Sequence, residues 1–347
     1  MTRRVFITLV GGAAAFWPLV ARAQQHDEIR RIGIIVNLAV DDPEAQASVA
    51  AFKQTLQQLG WSEGRNLQID VRGVAGDPER MQAFAKELIA LQPHVILTRS
   101  TPVTAAVLRQ TRTTPIVFTV VSDPVGERFV ESLARPGGNA TGFTNVESSL
   151  TGKWLELLKE VAPRVKRVAF IFNPELAPGG GSYYTRLIEA SAPASAVTPI
   201  VAPVHSAADI ERAIGEFVGE PNGGLVVLPD ITTVVNRRLI VALADRHHVP
   251  AIYAFGVVVT EGGISYGIDV VDQFRQAAGY VDRILKGTKP AELPVQLPAK
   301  FVMSINLKTA KGLGLDVPLL LQQRADEVVD CRPYDELMSA PPSAVIV

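Results

Sequence analysis

Along most of the chain, short apolar runs alternate with stretches in which apolar residues return every three or four positions. A bounded run of four to eight apolar residues suits a buried strand, and the 3.6-residue period is that of an amphipathic helix. The first strand is predicted at Arg31-Ile32-Gly33-Ile34-Ile35-Val36-Asn37. A helix follows over 43–59, with Val49, Phe52, Leu56 and Leu59 on one face and Gly60 ending it. Next come a strand at 67–71, a helix at 77–91, a strand at 95–98, a helix from near Pro102 and a strand at 116–121. This alternation is the signature of an α/β protein with parallel sheets.

The second half repeats the plan. "RRIGIIVN" at 30–37 is echoed by "KRVAFIFN" at 166–173, "PHVILT" at 93–98 by "GGLVVLP" at 223–229, and "TPIVF" at 114–118 by "VPAIY" at 249–253. The offsets are 136, 130 and 135 residues, so order and spacing agree as well as composition. That period far exceeds the ~20–50 residues of solenoid repeats and predicts two similar α/β lobes. Three stretches read as joints between them. "RPGGNATGFTNVESS" at 135–149 leads out of the first set into a helix near 151–161. "EGGISYGIDVVD" at 261–272 leads out of the second, into a helix at about 271–286, and the Pro-punctuated "LPVQLPAKFVMSIN" at 293–306 predicts a third crossing before the short helix "LKTAKGLGL". Several crossings make a hinge.

The N-terminus departs from this pattern. Arg3 and Arg4 precede seventeen uncharged residues, 5–21, and Ala21 and Ala23 supply small residues for cleavage before Gln24. These are the parts of an export signal. Gly11, Gly12 and Pro18 interrupt the run, which is shorter than the ~20 apolar residues a spanning helix takes. Removal of 1–23 leaves 31 basic against 35 acidic side chains, with no basic stripe to hold nucleic acid. Export from the cytoplasm is therefore expected. Cys331 is the only cysteine, so the fold relies on its core and not on disulfides.

In open parallel sheets, ligands bind beyond the carboxyl ends of the strands. The rule selects Asn37, Arg99, Ser100, Thr101, Ser122 and Asp123 from the first half, and Asn173, Asp230, Tyr253 and Phe255 from the second. Thr101 before Pro102 reads as a helix cap, where free amides favour an anion such as a carboxylate. Arg99 is either an acid's partner or an exposed solubilising arginine. Asp123, Asp230 and Asp269 offer carboxylates to an ammonium group, Asp123 foremost because it follows a wholly apolar strand; each also suits a plain cap. Tyr253, Phe255 and Tyr266 offer planar faces to an aromatic ligand, or pack in the core. The phosphate-loop, nucleophile-elbow and zinc-helix patterns are all missing from the sequence. No catalytic residue, metal or cofactor is therefore expected. Gly179-Gly180-Gly181 reads as a flexible loop.

Several long stretches, in order, carry a resemblance: the leader "RRVFITLVGGAAAFWPLVARAQQ", then "LGWSEGRNLQID", "PIVFTVVSDPVG", "ARPGGNATGFTN", "PNGGLVVLPD", "EGGISYGIDVVDQFRQAAGYVDRILKG" and "INLKTAKGLGLDVP…RADEVVD". From the signal to about Asp330 the chain resembles the ABC-transporter substrate-binding proteins of the tryptophan/tyrosine-uptake-like group. Thr2-Arg3-Arg4-Val5-Phe6-Ile7 further resembles a twin-arginine signal. The resemblance implies a periplasmic binding protein-like fold of two parallel-sheet α/β lobes, a multi-crossing hinge and a cleft that closes on a small polar ligand. It implies lobes at 28–146 plus 272–306 and at 147–271 plus 307–330, with a tail at 331–347. It points to Ser100, Thr101, Ser122, Asp123, Asn173 and the Tyr-Gly-x-Asp segment ending at Asp269 as binding positions. The implied partners are a membrane permease and a separate ATPase subunit, with the receptor itself a monomer. A periplasmic sensor, or an exported enzyme using the same cleft, are the alternatives.

Overall fold

The computed structural model describes residues 29–330; the expected export signal at 1–23 and the tail from Cys331 lie outside the described residues. The first lobe runs β1 (Arg30–Val36), α1 (Pro43–Gln58), β2 (Leu67–Gly73), α2 (Pro78–Ala90), β3 (Val95–Arg99), α3 (Thr101–Gln110), β4 (Ile116–Val121) and β5 (Ala140–Thr144). Its strands are all parallel, in the order β2-β1-β3-β4-β5. The second lobe runs α4 (Leu150–Val161), β6 (Arg167–Phe172), α5 (Ser182–Ser191), β7 (Thr198–Pro203), α6 (Ala207–Phe217), β8 (Gly223–Val227), α7 (Ile231–Val235), α8 (Arg237–Arg246), β9 (Ala251–Tyr253) and β10 (Ile264–Ile268). There the order is β7-β6-β8-β9-β10. Strand for strand, the two orders are the same, so the repeat in the sequence is a repeat of topology.

The chain returns to the first lobe as α9 (Val270–Leu285), packed on α1 and β4, and then crosses once more to β11 (Phe301–Asn306), α10 (Leu307–Gly312), α11 (Leu319–Arg324) and β12 (Glu327–Val329). The last crossing differs from the expected boundary after residue 306. Gln296 still bonds to the first lobe, through Gly142 O and Thr144 N. β11, however, pairs antiparallel with β10 and parallel with β12 in the seven-stranded sheet. Residues 301–306 thus belong to the second lobe. The strand's own ladder decides this, because an extended run must satisfy its amides on a sheet edge.

Two expected joints hold strands. β5 lies within 135–149 and β10 within 261–272. Their composition looked loop-like because each carries a glycine pressed onto its neighbour. A Cβ on Gly142 would collide with the carbonyl of Phe118, and one on Gly267 with that of Ala254. Each lobe has a buried core: Ile35, Leu88, Ile96 and Phe118 in the first, Ile171, Ile214, Leu225 and Ile240 in the second, with Trp154 and Phe274 in the layer that joins them. Among the described residues, no helix is long and apolar enough to cross a membrane.

A cavity between the lobes

Strand order 2-1-3-4-5 reverses direction between β1 and β3, and again between β6 and β8. Helices leave opposite faces of the sheet there, so the carboxyl ends splay into a crevice. The two crevices face each other across a small cavity between the lobes. From the first lobe it is lined by Asn37, Ser100, Thr101 and Ser122, together with Val120 and Asn145. From the second come Asp230, Phe255, Tyr184 and the 176–178 turn.

The first-lobe wall is a polar cradle. Ser100 is the N-cap of α3, one residue earlier than the sequence suggested, and holds φ 91°. Its Oγ and Asn37 Oδ1 are buried and have no hydrogen-bond partner among the described residues. Thr101 Oγ1 accepts from the Ser122 amide at 3.2 Å, tying the ends of β3 and β4 together. Val120 adopts φ 57° at an irregularity in β4, and Gln273 of α9 accepts its amide at 3.1 Å while donating to Thr144 O. A β-branched residue at positive φ is strained, and such outliers gather at ligand sites.

The second-lobe wall supplies charge. Asp230 caps α7, its Oδ1 accepting from the amides of Thr232 and Thr233 at 2.8 and 3.3 Å. Burial pushes its carboxyl up to about 6, against the lowering effect of those amides. Asn173 does not line the cavity; its amide group donates to Thr232 Oγ1 at 3.0 Å and braces the Asp230 turn from behind.

Tyr184 joins the walls. Its hydroxyl lies 3.0 Å from Ser122 Oγ, on the first lobe, and donates to Pro229 O at 2.8 Å, on the second. Ser122 Oγ is also 3.0 Å from Asn145 Oδ1. Burial drives the Tyr184 hydroxyl well above the usual tyrosine range, so it stays protonated. The glycines before it form no loose loop. Gly179, Gly180 and Gly181 take φ 60°, 65° and 87°, a left-handed turn that launches α5, and the Gly179 amide donates to Glu127 of the first lobe at 2.8 Å.

A family model for ABC transporter substrate binding proteins matches residues 32–329. The chain belongs to that family. Its members are binding proteins that work outside the cytoplasm with a transporter's permease. The tyrosine-binding protein of Clostridioides difficile is 25% identical over 291 residues, 83% of each chain. A conserved domain protein of Vibrio cholerae superimposes with a TM-score of 0.80 at 28% identity, covering 87% of this chain and 100% of that one. A Streptococcus pneumoniae ABC domain solved with L-Trp gives 0.79 at 23% identity with the same coverage, which shows a shared fold.

Within this family member, several residues singled out by strand-end position lie away from the cavity. Arg99 is not exposed: it is 1% accessible and ion-pairs with Glu44 of α1 at 3.0 Å. It is the last residue of β3, and its side chain leaves on the face covered by α1. Asp123 accepts from the Gly126 amide at 2.9 Å and caps a turn outside the pocket. Tyr253 is packed in the second-lobe core. Tyr266 stacks on Phe301, ring centroids 5.7 Å apart, and its carbonyl accepts from the Trp154 indole. Asp269 caps α9 and pairs with Lys300 at 2.9 Å. Asn145, Tyr184 and Val120 also line the cavity, and the sequence alone does not mark them. Asn145 follows β5 and obeys the strand-end rule; it was hidden because that strand read as a joint. Tyr184 sits on a helix and carries no such signal.

Proposed function

We propose that the chain is the periplasmic receptor of an ABC uptake system, exported by its leader, and that it closes on an amino acid or related aromatic carboxylate. The observation that carries this reading is the composition of the interlobe cavity. Unpartnered Asn37 Oδ1 and Ser100 Oγ stand on one wall and the buried Asp230 carboxylate on the other, with the Phe255 ring beside them. A zwitterion fits this division. Its carboxylate meets the start of α3, where the amides and helix dipole favour an anion, and its ammonium meets Asp230. Phe255 and Tyr184 offer faces to a ring. The tyrosine-binding relative and the L-Trp complex support an aromatic side chain.

Contacts on both walls exist together only when the lobes meet, so ligand shifts the population toward the closed form by its differential affinity. That form docks on the permease, with ATP hydrolysis supplied by another subunit. The receptor acts as a monomer without cofactor or catalytic step.

The test is calorimetry of the mature chain with L-tyrosine, L-tryptophan, L-phenylalanine, their decarboxylated amines and their deaminated acids. The reading requires binding of the zwitterions and loss of affinity for both truncated sets. Equal affinity for an acid lacking its ammonium would remove Asp230 from the site. Binding only of sugars or nucleosides would overturn the ligand class.

A further inference from the structure

Beside the cavity, and not lining it, three charged side chains meet across the cleft. Asp42, which precedes α1 on the first lobe, lies 2.8 Å from Arg237 Nη2 on the second. Arg237 Nε lies 3.1 Å from Glu261, which also pairs with Arg238 at 3.2 Å. Asp42, Arg237 and Glu261 are all nearly buried, and Glu44 faces the same guanidinium from the first lobe. Arg237 Nη1 donates to the carbonyl of Val234, a residue of the cavity wall, at 3.1 Å.

The local chemistry of α8 gives no reason for this arrangement. Arg237 and Arg238 are its first two residues, at the end where the helix dipole is positive and cations are disfavoured. Asp42 and Glu44, by contrast, sit at the start of α1, where anions are favoured. A first lobe with acidic groups at one helix start thus faces a second lobe with basic groups at another. Only the meeting of the lobes brings Asp42 to Arg237.

We infer that Asp42 and Arg237, backed by Glu261, form an interlobe latch that sets the closing equilibrium of the receptor without touching ligand. Arg237 is a positioning residue: it raises ligand affinity by favouring the closed arrangement in which both cavity walls meet. Asp42 serves two ends at once. Its Oδ1 accepts from the Glu44 amide as the cap of α1 and its Oδ2 takes Arg237. The Glu127–Gly179 and Tyr184–Ser122 hydrogen bonds are further contacts between the lobes, both with neutral donors.

The test reads closure directly and needs no ligand, so it stands apart from the ligand class proposed above. Spin labels on a Cys331→Ser background, at Gln57 of the first lobe and Glu211 of the second, report the interlobe distance in the full mature chain. Asp42→Asn keeps the cap oxygen and removes the charge, so folding is preserved; thermal melting checks it. The latch predicts that Asp42→Asn and Arg237→Gln each lower the ratio of closed to open molecules by about tenfold. It predicts that the double variant adds little to either single one and that Arg237→Lys restores part of the loss. Raising salt from about 20 to about 500 mM, which shortens the screening length from about 20 to about 4 Å, shifts the wild type toward open and the variants less. Distance distributions unchanged by Asp42→Asn and Arg237→Gln in folded protein, or additive losses in the double variant, overturn the latch.

Discussion

Asp230 and Arg99 are both buried charges at strand ends, yet they do different work, and the difference lies in their partners. Asp230 is braced by two backbone amides of its own turn and faces the cavity. Its carboxyl titrates near 6, above the ordinary 3.8, because burial disfavours the charge. At pH 5 only about a tenth of it is ionised, so affinity for an ammonium-bearing ligand should fall about tenfold between pH 7.5 and 5. Asp230→Asn should bind weakly at both pH values and lose that slope; calorimetry at the two pH values checks it. The sign for stability is opposite. Between pH 3.8 and 6 the folded chain holds more protons at this group than the unfolded one, so its contribution to stability rises as pH falls. Arg99 instead spends its charge on Glu44. Arg99→Ala would strand a buried carboxylate and should cost about 3–5 kcal/mol, seen as a large fall in Tm. A variant that lost ligand affinity but kept its Tm would put Arg99 back in the site.

At the scale of elements, two glycine devices shape the cavity. The glycines of β5 and β10 let the last strand of each repeat press onto the carbonyl of the strand before it. The left-handed turn at 179–181 aims α5 so that Tyr184 reaches the opposite lobe. A Cβ on Gly181 would approach the Phe172 ring to 2.8 Å at φ 87°. Gly181→Ala should therefore lower stability by about 1–3 kcal/mol and weaken closure; melting and scattering read the two effects. The wider pattern was legible: helices over 43–59, 77–91 and 271–286 lie within a residue or so of the observed α1, α2 and α9. Hydrophobic period reports burial on one face, which secondary structure needs. It does not report a close backbone approach, so β5 and β10 looked like linkers.

At the scale of the molecule, both sheets put their switch points toward one cleft, and three crossings of the chain connect the lobes. If the lobes move about those crossings, a saturating ligand should shrink the radius of gyration of the mature protein in solution scattering. An unchanged radius at saturation would sink the closing mechanism while leaving the binding site in place. The Tyr184 hydroxyl belongs to this scale as well, since it bonds to both lobes. Tyr184→Phe should open the equilibrium with little change in Tm, because each lobe keeps its own core.

The sequence by itself determined the two α/β lobes with their echoed strands, the several crossings between them, and the strand ends from which Asn37, Ser100, Thr101, Ser122, Asp230 and Phe255 line the cavity. Those follow from short-range period and from the rule that ligand sites gather at the carboxyl ends of parallel strands; the spatial strand order came only with the structure. Tertiary structure decided which strand-end side chains face the cavity. Arg99 ends β3 and turns toward Glu44, while Ser100, its neighbour in the chain, caps α3 at φ 91° and lines the cleft. It also decided the contacts between lobes: Tyr184 with Ser122 and Arg237 with Asp42 lie 62 and 195 residues apart, and no local pattern encodes a meeting at that distance.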